Sequence, residues 1–156
     1  MRRNKIIVLL LGGVILLPTE GSAQEEPRGW EPLVSEAREP AYERNRYAPV
    51  ARIGSLVIAS GVVGNTREGD NSPVAQFRRA FERLSAVLEE QGLSLRDVAE
   101  MTTYHVNMGE HIQDFITVKN EFLPSPPYPA WTVIGVDRLF REVNLIEIRV
   151  IAAMRP

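Results

Sequence analysis

The chain has 156 residues, of which 44% are hydrophobic and 24% charged, enough for one globular domain and too few for two comfortable ones. A formal net charge of −2 argues against a nucleic-acid binder working through a broad basic field. The absence of cysteine excludes disulfide frameworks, Cys-based zinc sites and thiol catalysis.

Residues 1–23 read as an address. Arg2, Arg3 and Lys5 form a positive head, Ile6 to Leu17 is an unbroken run of twelve apolar or Gly residues, and Gly21-Ser22-Ala23 offers small residues for cleavage. The rival reading is an uncleaved anchor, but a membrane span needs roughly twenty apolar residues. The expectation is a secretory signal peptide and an exported, periplasmic protein that makes no membrane contact once cleaved. Cleavage would remove three basic residues and one acidic residue, leaving 15 basic against 19 acidic. Residues 24–46 carry ten charges and three Pro in 23 residues, which reads as a charged linker or arm with little core of its own. Trp30 and Leu33 could dock it on the domain.

The domain itself is expected over 47–156. Val50 to Gly54 and Leu56 to Ala59 read as two strands around a Gly54-Ser55 turn, with Val62-Val63-Gly64 as an extension of the second. Ser72-Pro73 starts a helix whose stripe is Val74, Phe77, Phe81, Leu84 and Leu88, and Gly92 closes it. Val98 to Met108 is rich in β-branched and aromatic residues and reads as a strand. Glu110 to Phe122 is a second helix with Ile112, Phe115, Ile116 and Phe122 on its buried face, followed by a stiff proline-rich loop over 123–129. Trp131 to Val136 and Asn144 to Ala153 are the last strands. In the final one Ile146, Ile148 and Val150 point one way, and Leu145, Glu147, Arg149 and Ile151 the other.

The order β-β-α-β-α-β-β gives an α+β class with two helices on one face of a sheet. The uncovered face carries Glu147 and Arg149 among apolar neighbours, so it cannot be a dry core. One economical solution packs that face against other copies of the chain, leaving polar clefts between them.

Span 47–153 resembles the Rid family (YjgF/YER057c/UK114). The matching pieces, in order, are Tyr47 ahead of Val50-Ala-Arg-Ile-Gly54, then Leu56-Val-Ile-Ala-Ser-Gly61, Leu88-Glu-Glu-Gln-Gly-Leu93, Met101-Thr-Thr-Tyr104, Tyr128-Pro-Ala130, and Ile146-Glu-Ile148 with Ile151-Ala152. The resemblance implies a chorismate-mutase-like (RidA-like) six-stranded sheet, a homotrimer with three interfacial clefts, and a small-molecule ligand. It also implies imine or enamine hydrolysis to 2-oxo acids and ammonia, a deaminase-type hydrolase activity with no metal or organic cofactor. In such relatives an arginine after the Pro-Ala holds the substrate carboxylate and a last-strand glutamate positions or activates water. By resemblance Glu147 is the catalytic candidate, and Tyr47, Ser60 and Gly61 are substrate-binding candidates.

The residue after Pro129-Ala130 is Trp131, where the resemblance implies arginine. Losing a two-pronged charged grip on a carboxylate costs on the order of a few kcal/mol, roughly two decades of affinity. Trp131 is expected instead as a stacking wall for a less acidic or cationic ligand. The resemblance also leads one to expect a longer loop before it than this chain has. Arg149 either supplies a guanidinium from a new position or pairs with an acidic group. Bland readings stand beside these: Tyr47 as a surface strand residue, and Glu147 as half of an ion pair across a subunit boundary. His105 and His111 lie in no HExxH or carboxylate cluster, so no metal site is expected. Arg78, Arg79 and Arg83 make a basic patch diluted by Glu82, Glu89 and Glu90, which supports no RNA groove. Two functions follow: an exported trimer that hydrolyses a C–N bond at interfacial clefts, or a non-catalytic ligand-binding or protein-interaction trimer on the same fold.

Overall fold

The computed structural model describes residues 28–67 and 69–154. The expected leader over 1–23 lies outside the described residues. In chain order the elements are β1 (Glu31–Leu33), α1 (Glu39–Asn45), β2 (Val50–Ile53), β3 (Leu56–Val63), α2 (Pro73–Glu89), β4 (Val98–Val106), α3 (Met108–Phe122), β5 (Ala130–Val136) and β6 (Ile146–Ala153). They form one six-stranded mixed sheet ordered β1-β2-β3-β6-β4-β5. Only β4 and β5 run parallel, joined by α3 as the crossover that a parallel pair requires.

The sequence order supplied five strands, and the sixth comes from the segment read as a linker. Residues 31–33 pair antiparallel with β2, setting Glu31 opposite Arg52 in an ion pair. Arg38, at the start of α1, forms a two-pronged pair with Glu90 at the end of α2, at 3.0 and 2.9 Å. Leu33 packs on the core. The many charges of the arm are therefore not all solvated; several are the contacts that hold it down.

α2 begins where the sequence indicates, with the Ser72 hydroxyl accepting from Ala75 N and Pro73 in the first turn. It ends in a Schellman arrangement. Leu93 N donates to Leu88 O, Gly92 N donates to Glu89 O, and Gly92 takes a φ of +69°, a conformation that favours glycine. β4 stops two residues earlier than expected. Asn107 adopts a φ of 52° and turns the chain directly into α3, so Met108 belongs to the helix.

The core lies between the sheet and the pair α2–α3. Phe77, Phe81, Leu84 and Leu88 from α2 and Phe115 and Val118 from α3 are buried against Ile146, Ile148 and Val150 of β6. Phe115 is the hub of the aromatic packing, with ring centres 5.5 Å from Phe77, 5.7 Å from Phe81 and 4.6 Å from His105. Burial along β6 alternates residue by residue, with even positions buried under the helices and odd positions half-buried on the other face. No helix among the described residues is long and apolar enough to cross a membrane.

Candidate functional site

β3 changes phase halfway along. Ala59 pairs with Val150 and Val62 with Ile148, so three steps on β3 match two on β6. This is a β-bulge, and it leaves Ser60 and Gly61 out of the regular alternation while Ala59 and Val62 both face the core. The bulge is anchored to the chain entering β2. Ser60 N donates to Pro49 O at 2.9 Å and Ser60 Oγ donates to Ala48 O at 2.7 Å. Tyr47 is thereby held beside Gly61. The Ser60 hydroxyl proton is committed to this clamp, so towards a ligand it offers lone pairs.

Gly61 makes room for Glu147. A Cβ at position 61 would coincide with the Glu147 carboxylate, so no larger residue fits without displacing it. The carboxylate has no hydrogen bond or ion pair with a described residue, and burial pushes its pKa up. Tyr47, Ser60, Gly61 and Glu147 line one hollow of about 670 Å³, completed by Arg141 and Asn144 among others. Asn144 is only 2% exposed, and its Oδ1 has no partner among the described residues. Sequence reading passed over Asn144 because a polar residue just before a strand is an ordinary boundary signal.

The other two candidates lie elsewhere. Arg149 shares the face of Glu147 but sits 3.7 Å from Glu100, which also accepts from Thr102 Oγ1 at 2.6 Å. Of its two readings the chain shows the acidic partner. Trp131 does not reach this hollow within the chain. Its register partner on β4 is Met101, on the helix-covered face, so the indole turns under α3. There it lies 5.8 Å from Phe115, and its Nε1 donates to Thr103 Oγ1 at 2.9 Å. The cation over its ring is the chain's own Lys119, with Nζ 4.9 Å from the centroid. The expected stacking wall for a ligand is already occupied inside the chain, because the phase of β5 points odd positions at the helix.

Thr103 also meets His105 Nε2 at 2.9 Å and donates to Thr132 O at 3.4 Å. His105 Nδ1, on the other side of the ring, is buried with no partner among the described residues. Burial lowers the His105 pKa to about 4, so the ring is neutral at physiological pH. Among the described residues no three His, Asp or Glu side chains gather at metal-ligand spacing.

The model of the family described as Endoribonuclease L-PSP matches residues 37–154. The chain is 38% identical over 104 residues to the RutC family protein YjgH of Escherichia coli K12, covering 65% of this chain and 79% of that one. A solved structure of protein YJGH superposes with a TM-score of 0.71 at 33% identity, covering 83% of this chain and 99% of that one. The 2-iminobutanoate/2-iminopropanoate deaminase of Escherichia coli K12 is 27% identical over 117 residues, covering 70% of this chain and 88% of that protein. Fold and sequence agree: the chain belongs to this family, the Rid (YjgF/YER057c/UK114) family.

Proposed function

We propose that this chain is an exported homotrimer that binds a small metabolite in clefts completed at subunit boundaries and hydrolyses an imine- or enamine-type C–N bond there. The observation that carries the reading is the Glu147 carboxylate, seated over Gly61 in an open hollow and paired with no cation among the described residues. Such a group is free to take a proton. In the proposed reaction Glu147 accepts a proton from water as its oxygen bonds to the imine carbon. The same proton then passes to nitrogen to give a carbinolamine. Glu147 next takes the carbinolamine hydroxyl proton and hands it to nitrogen as the C–N bond breaks and the C=O bond forms, so the products are a ketone and ammonia. A raised pKa brings Glu147 closer to the working range of a general base.

The open face of the sheet supports self-association. Glu100, Thr102, Tyr104, Glu147, Arg149 and Ile151 lie there half-buried, with neither α2 nor α3 over them. Trp131 enters a cleft in this reading only through a second copy. Export rests on the basic head and apolar run of residues 1–23, and the mass of the protein recovered from the periplasm tests it. The paired arginines speak for a small molecule rather than RNA: Arg78 is bound to Glu121, and Arg79 is committed to the loop at 64–71.

One observation favours a second reading, a non-catalytic ligand-binding or protein-interaction trimer: Trp131 stands where arginine-bearing relatives hold the carboxylate. Ammonia release from freshly generated imino acids separates the two. The hydrolytic reading expects activity in the wild type, a loss of about a hundredfold or more in Glu147→Gln, and a comparable loss in Gly61→Ala, whose methyl group evicts the carboxylate. Activity appearing only in Trp131→Arg would establish the second reading.

A further inference from the structure

The three arginines of α2 have separate fates. Arg78 is paired with Glu121 of α3. Arg79 donates to Gly64 O, Asn65 O, Asp70 O and Asn71 Oδ1, at 3.2, 2.9, 2.9 and 3.3 Å, and so ties down the loop after β3. Arg83 has no hydrogen bond or ion pair with any described residue. It borders a second hollow, of about 410 Å³, together with Arg38 from the arm, Tyr47 and Ser60, and among the described residues no carboxylate lines that hollow. Tyr47 lines the same hollow as both guanidinium groups.

We propose that Arg83, backed by Arg38, is a binding site for the carboxylate of a small monoanionic ligand. The charge count sets the class. Arg38 spends Nε and Nη2 on Glu90, so that pair is neutral in sum and Arg83 leaves the hollow one positive charge in excess. A guanidinium presents a planar fork of N–H donors matched to a carboxylate. Partial burial and the neighbouring Arg38 charge both weigh on the charged form of Arg83, a tension that a bound anion relieves. The hollow is of a size that suits a small molecule.

The position also gives the ligand a direction. This hollow and the one holding Glu147 share Tyr47, Ser60, Gly61 and Val63 as a common wall. A ligand anchored by its carboxylate at Arg83 extends its other end past Tyr47 towards Glu147, with its negative charge kept away from that carboxylate. The guanidinium absent at position 131 is thus supplied from α2. This orientation rests on the proposed reading of the Glu147 hollow; the anion site itself does not.

Calorimetric titration of the mature protein tests the proposal, using 2-oxobutanoate, its uncharged amide and inorganic phosphate as probes. The wild type is expected to bind 2-oxobutanoate about tenfold or more tightly than either comparator. Arg83→Gln loses that preference and Arg83→Lys keeps part of it, with melting temperatures confirming that both variants fold. Equal 2-oxobutanoate affinity in Arg83→Gln and wild type, no 2-oxobutanoate binding by the wild type, or tighter binding of amide or phosphate would each overturn the site. A Glu147→Gln variant that still releases ammonia at the wild-type rate would overturn the hydrolytic reading while leaving the Arg83 result intact.

Discussion

The two faces of the sheet obey different rules. Under α2 and α3 the chain is close-packed and aromatic, and its polar groups, Thr103, His105 and the Trp131 N–H, are drawn into one network. On the other face charged, polar and apolar residues of β6 and β4 lie side by side, half-buried, with Glu147 unpaired among the described residues and Glu100 satisfied only in part. The covered face spends its residues on stability. The open face keeps charged groups that a folded monomer does not need, and that pattern belongs to surfaces that meet a ligand or a second copy.

Three measurements can break or sharpen this contrast. The largest effect is expected on the covered face. Phe115→Ala removes the ring that meets Phe77, Phe81, His105 and Trp131, and should cost about 3–5 kcal/mol in denaturant unfolding. Next is acid. The depressed pKa of His105 means that folding favours the neutral ring, so stability is full above the ordinary histidine value near 6.5 and falls as pH drops towards about 4. That loss should be on the order of 3 kcal/mol in a pH series of unfolding curves, and His105→Gln should flatten it. The smallest effect has the opposite sign and lies on the open face. Burial raises the Glu147 pKa, so folding favours the protonated acid and stability falls as pH rises through the range above the ordinary carboxylate value. Glu147→Gln should therefore melt higher than wild type at neutral pH, and the difference should shrink as both are acidified. A Glu147→Gln protein that melts lower would mean that the carboxylate has a stabilising partner, and the contrast between faces would fail.

The local signals in the sequence were strong where one segment determines its own structure. Ser72-Pro73, the Phe77–Leu88 stripe and Gly92 define α2 without help from the rest of the chain, and alternation sorts β6 into its two faces. The misses share one cause: they depend on distant partners. β1 exists because β2 offers an edge, and three residues of mixed character carry no period of their own. The direction of Trp131 depends on the phase with which the proline-rich loop delivers β5, and a shift of one residue would reverse it. The isolation of Arg83 becomes visible only when Glu121 and the loop at 64–71 have claimed its two neighbours on the helix. Of the site, Tyr47, Ser60, Gly61 and Glu147 do come together around one hollow, whereas Asn144 and the Arg38–Arg83 wall needed the fold.

The extra residue in β3 has a consequence for how this strand can change. Because Ala59 and Val62 are both turned inwards, the strand is two short rulers laid end to end with an offset of one notch. Deleting a single residue at 60 or 61 would make the ruler continuous, with Val62 still turned inwards and Val63 outwards, so the core would keep its pattern while the recess that seats the Glu147 carboxylate would be lost. The extra residue therefore serves the recess rather than the core.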